Sequence, residues 1–168
     1  MMRLPLRRPR SLCWQGSPDL ERGTRLAIDV GSVRVGVARS DPEGILAVPE
    51  VTLPRDARTL EEIRALVIEY DAVIVYVGLP LGLDGAVGAA GVAAEAFAVD
   101  VSSTVDVPVH LVDERLSTVT AQRAIQAAGR STRESRAYVD QAAAVVILES
   151  ALARERADGT RAGRAVTV

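Results

Sequence analysis

Apolar positions recur along this chain with two different periods. Residues 25–30 form a short apolar run, and residues 33–39 alternate valine with Arg34, Gly36 and Ala38, the period-two signature of a strand. Gly31-Ser32 between them suits a tight hairpin. Residues 45–53 read as a third extended segment, with Pro49 marking an edge or an irregularity. The period then lengthens: residues 56–70 place Leu60, Ile63, Leu66 and Val67 on one helical face. Residues 72–77, AVIVYV, are too continuously apolar for a strand with a wet face and predict a central strand covered on both sides. Gly78-Leu-Pro-Leu-Gly ends that run. Residues 89–101 predict an alanine-rich helix, 108–112 another buried strand, and 117–128 and 138–153 two closing helices around the polar loop 129–136.

This order predicts an α/β fold: a mixed five-stranded sheet, an antiparallel meander of three strands plus parallel strands, flanked by helices. The division expected is a disordered basic N-terminal extension over 1–24, one domain over 25–153, and a flexible C-terminal tail over 154–168. With 168 residues and 48% hydrophobic content, one domain can bury a real core. A formal net charge of −2 announces no global attraction to a polyanion. All 20 basic residues are arginine, so any phosphate contact here uses a planar fork and not a point charge. The single cysteine, Cys13, leaves no internal disulfide and fits a reducing cytoplasm. No apolar stretch reaches the ~20 residues of a membrane span, and the proline-containing leader lacks the apolar core of a signal peptide.

Candidate chemistry lies at the ends of the predicted elements. Asp29 stands near the carboxyl end of the first strand, Asp113 and Glu114 follow directly on the last strand, and Asp140 falls in the first turn of the final helix. In open α/β sheets the carboxyl ends of parallel strands form the edge at which ligands bind. Carboxylates converging there raise one another's pKa until a cation neutralises them, and Mg²⁺ suits such oxygen donors. One or two such ions activate water and stabilise the leaving oxygen of a phosphodiester. Each acid also has a plain structural use. Asp29 suits a turn to Ser32, Asp140 favours the amino end of a helix dipole, and Glu114 suits a surface pair with Arg115 or Arg123. Their joint placement favours the chemical reading.

The motifs IDVGSVRVGVARSD, VGLPLGLDGAVG, VDERLSTVTAQRA and YVDQAAAVVILESAL stand in that order over residues 25–153. In this the chain resembles the YqgF/RuvX family, described as Holliday junction resolvases and as pre-16S rRNA nucleases, and is similar to its actinobacterial members. The resemblance implies an RNase H-like fold and a metal-dependent nuclease. It also implies an acid triad that falls on Asp29, Glu114 and Asp140, holding Mg²⁺ or Mn²⁺. Asp113 matches the same motif; adjacent residues of an extended segment point to opposite sides, so one of Asp113 and Glu114 faces the metal. The resemblance favours Glu114, and the sequence itself does not decide.

The neighbouring residues acquire expected roles from this picture. Gly31 and Ser32 leave room above Asp29, and Arg34 and Arg115 clamp phosphates. Ser117 and Thr118 cap a helix or meet a phosphate. Gly78, Pro80, Asp84, Gly85 and Gly88 shape a loop at the same edge, and Arg130, Arg133 and Arg136 form either a solvated face or a nucleic-acid contact. His110, inside a strand, is expected to be structural. Aromatic residues make up only 3%, which favours reading backbone shape over stacked bases. The partners expected are structured RNA such as pre-16S rRNA, branched DNA, or both, bound by a monomer or a homodimer, with no membrane. Two other classes stay open: a non-catalytic nucleic-acid-binding module, and an ATP-binding protein of the actin and Hsp70 kind. The DVGS stretch resembles the first phosphate loop of that second group, but the chain has length for one lobe where two are needed.

Overall fold

A computed structural model describes residues 20–82, 84–113 and 133–167, with 133–139 described by backbone alone. β1 (Thr24–Val30), β2 (Arg34–Ser40) and β3 (Ala47–Pro54) form the expected antiparallel meander. α1 (Thr59–Glu69), β4 (Ala72–Leu79), α2 (Ala89–Ser102) and β5 (Val109–Asp113) follow, with β1, β4 and β5 mutually parallel. α3 (Arg133–Asp158) and β6 (Arg164–Ala165) close the chain. Among the described residues the sheet has six strands, in the order β3-β2-β1-β4-β5-β6.

The two faces of the sheet are built from different side chains. Leu26, Ile28, Val35, Val37, Val75 and Val77 pack with Ile63 and Val67 of α1 and Phe97, Ala98 and Val101 of α2. The opposite face is lined by Ala27, Ala38, Ile74, Tyr76 and Val112, and α3 covers it with Ala144, Ile147, Leu148, Ala151 and Leu152. That spacing of three and four is a single helical stripe. Ala27 and Ala38 are small, so the helix lies close to β1 and β2. β4 has both faces covered, as its uninterrupted apolar run requires.

Two elements differ from expectation. The sheet has a sixth strand because Arg164 and Ala165 pair antiparallel with Leu111 and His110, within the stretch read as a flexible tail. A two-residue exposed strand carries no periodic pattern, so only its partner reveals it. α3 also runs from Arg133 to Asp158, taking in part of the loop predicted over 129–136 and extending past Ala153. Arg and Glu are good helix formers without an apolar face, so this extension lacked the periodicity used to place the helix. Asp140 therefore stands about two turns into α3, not in its first turn. Thr24, assigned to the leader, opens β1. The leader residues 1–19, with Cys13, and the helix predicted over 117–128 lie outside the described residues.

Candidate active site

Asp29 is the penultimate residue of β1 and alternates with Arg25 and Ala27, so its side chain lies on the face covered by α3. Its register partner across the β1–β2 pair is Gly36. A β-carbon at position 36 would lie 2.1 Å from the carbonyl oxygen of Asp140 and 2.5 Å from its carbonyl carbon. The backbone of α3 thus rests where β2 has no side chain, beside Asp29. Arg34, two residues from Gly36 on the same face, donates from Nε to Asp140 Oδ2 at 2.6 Å, with both side chains partly exposed.

This geometry sets the electrostatics. Burial, and secondarily the charge of Asp140, push the Asp29 carboxyl up to about 6 from its ordinary 3.8. Among the described residues Arg34 pairs with one of the two acids, Asp140, and a hard cation would relieve the charge of the other. Oxygen donors from Asp29 and Asp140 fit such an ion. Among the described residues no group of three His, Cys, Asp or Glu is placed to hold a metal, and Glu114 lies outside them. Asp113 alternates with Val109 and Leu111, which belong to the core under α1 and α2. It therefore lies on the face opposite Asp29 and Asp140.

The other expected site residues divide similarly. Gly31 closes the β1–β2 turn: its amide donates to the Arg34 carbonyl at 2.9 Å, and a β-carbon would meet that oxygen at 2.7 Å. Ser32 is exposed in the same turn. Gly78 is buried inside β4 opposite Val112. Pro80 leads into a small hairpin closed by the Leu81–Val87 bridge, where Gly85 adopts φ +82° and Asp84 Oδ1 accepts the Ala86 amide at 3.0 Å. Gly88 precedes α2 in open space. This hairpin follows the carboxyl end of β4, on the rim that β1 and β5 share. Arg115, Ser117, Thr118 and Arg130 lie outside the described residues, as do the side chains of Arg133 and Arg136. His110 is structural: its Nδ1 meets the Ala162 carbonyl at 2.8 Å, and its ring stands edge-on to Tyr76.

Sequence reasoning missed Gly36 as a site residue. Its signal was present, because a glycine inside a strand marks a weak point or the close approach of another backbone.

Residues 23–154 match the family model described as RuvX, Holliday junction resolvase. A protein of Clavibacter michiganensis named "Putative pre-16S rRNA nuclease" is 48% identical over 147 residues, covering 86% of this chain and 91% of its own. Proteins with the same name in Streptomyces coelicolor and Rhodococcus erythropolis are 46% and 52% identical, covering 90% and 80% of this chain and 92% and 80% of theirs. Among solved structures, T. thermophilus RuvC in complex with a Holliday junction substrate superposes with a TM-score of 0.51 at 16% identity, covering 85% of this chain and 99% of that one. The likeness identifies the fold as RNase H-like.

Proposed function

The chain belongs to the RuvX Holliday junction resolvase family, and from that membership we propose that it is a metal-dependent nuclease that hydrolyses phosphodiester bonds of structured nucleic acid. The substrates proposed are the 5′ end of pre-16S rRNA, four-way DNA junctions, or both. The observation that carries this reading is the docking of Asp140 over Gly36, which sets two acids side by side at the rim of the parallel strands.

In this reading Asp29, Asp140 and Glu114 hold Mg²⁺ or Mn²⁺. When bound, the ion supplies a nucleophilic water near neutral pH and offsets charge on the phosphate. Asp29 provides a ligand whose carboxyl is raised chiefly by burial, and it takes the ionised form once its neighbourhood is neutralised. Arg34 fixes the orientation of Asp140 and keeps the acid pair from repelling freely. Asp113 lies on the face opposite Asp29 and Asp140, which argues against it as the third ligand, and the family motif favours Glu114.

The test is incubation of the full chain with labelled precursor rRNA and four-way DNA in Mg²⁺ or Mn²⁺, and again in EDTA. Cleavage that requires the metal and disappears in Asp29→Asn supports the reading. A wild-type protein that cuts neither substrate, or an Asp29→Asn variant that cuts equally well, ends it.

A further inference from the structure

Arg55 follows the last residue of β3 and stands on the α2 side of the β1–β2 turn, whereas Arg34 and Asp140 stand on the α3 side. Its amide donates to the Val33 carbonyl at 2.9 Å, and its Nη1 donates to the Gly31 carbonyl at 2.9 Å. Its Cζ lies 5.6 Å from the centroid of the buried Phe97 ring. The side chain is therefore fixed at both its base and its tip, the tip at Gly31, which is two residues along the chain from Asp29.

These partners orient the guanidinium without neutralising it. Four other exposed arginines, Arg22, Arg58, Arg64 and Arg164, face Glu43, Asp56, Glu61 and Glu95. Among the described residues no carboxylate pairs with Arg55. Arg156 and Arg161 also bond carbonyls, those of Gly44 and Val73, but at the amino ends of β1 and β4, away from the rim. A guanidinium has five donors in a rigid fork, and one contact with Gly31 leaves most of them for an anion. Val33, at the tip of the same turn, is 71% exposed, so among the described residues nothing covers this edge.

A polyanion drawn to a rim with two carboxylates needs fixed cations beside them. We propose that Arg55 is a positioning residue that grips a backbone phosphate of the nucleic acid on the α2 side of the β1–β2 turn, next to the bond that is cut. This rests on the nuclease reading. Preorganisation by Gly31 and Phe97 means that little side-chain entropy is lost on binding.

The experiment measures binding of fluorescent four-way DNA and structured RNA in EDTA across a salt series, and cleavage kinetics in Mg²⁺, for wild type, Arg55→Gln and Arg55→Lys. Loss of one phosphate contact lowers the slope of log K against log salt by about 0.7–0.9. Arg55→Gln should show that loss, an affinity reduced about fivefold, and a raised KM with kcat near wild type. Arg55→Lys should recover the slope, since it keeps the charge. An unchanged slope in Arg55→Gln overturns the proposal, whatever its melting temperature, because a clamp that only holds the turn changes stability and not counterion release. Wild type that binds but does not cut ends the nuclease reading, and the slope still decides Arg55. Wild type that binds no nucleic acid ends both.

Discussion

The carbonyl of Asp140 occupies the space that a side chain at Gly36 would fill, 2.1 Å from where its β-carbon would stand. Because Gly36 is the register partner of Asp29, the same contact that seats α3 on the sheet also brings the second acid to the first.

Gly36→Ala must therefore push α3 away from β2 at this point. Overpacking of this kind costs about 1–3 kcal/mol, and it should also separate Asp140 from Asp29. We expect a lowered denaturation midpoint together with a loss of cleavage larger than the loss of folded protein. Ordinary stability and activity would show that the helix adjusts without moving the acids.

Asp29 makes stability depend on pH in a defined direction. Its carboxyl holds its proton up to about 6 in the folded chain but releases it near 3.8 when unfolded. Between those values the folded state binds more protons, so stability falls as pH rises through this window and is level above it. Asp29→Asn lacks this ionisation. In EDTA it should match wild type near pH 4 and exceed it by at most about 3 kcal/mol above pH 6. Urea midpoints at several pH values measure the difference. A variant less stable than wild type at pH 7 would give Asp29 a structural role.

Arg34 holds Asp140 through a 2.6 Å charge-assisted bond. Arg34→Gln removes the positive charge and keeps both carboxyl groups, so the Asp29 carboxyl should titrate higher still. Carbon-detected NMR of the Asp29 side chain would follow this. A midpoint that falls or stays fixed would mean that the guanidinium does not shape the field at the rim.

The far end of α3 is held by a buried charge. Arg25 Nε donates to Glu155 Oε2 at 3.0 Å, and both side chains are 4% exposed. The Tyr76 hydroxyl donates to Oε1 of the same carboxylate, and burial with the Glu155 charge pushes its phenol up, which keeps it a donor. Breaking a buried pair by removing one partner costs about 3–5 kcal/mol. Glu155→Gln should approach that cost in chemical denaturation, and Tyr76→Phe should lose about 1–3 kcal/mol as the carboxylate loses a donor. A loss under about 1 kcal/mol for Glu155→Gln would place this network outside the forces that seat the helix.

Much of the fold was legible in order and period. The alternation around Val35 and Val37 marked β2, and the run AVIVYV marked a strand between two covered layers. β6 was not legible because two exposed residues have no period; its hydrogen bonds to β5 create it. The first turns of α3 were missed because Arg133–Arg136 have helix propensity without an apolar stripe. At the site, Asp29 and Asp140 stand out in the sequence as acids near element ends, but the bond from Arg34 to an aspartate 106 residues away has no local signal.

The sequence by itself determined which segments become strands and helices and which residue types could carry chemistry, since periodicity and propensity act over a few neighbours. Only the tertiary structure decided which of those residues meet. The Asp29–Gly36–Asp140 contact depends on register across β1 and β2 and on how closely a distant helix can approach, and neither is encoded within a local window.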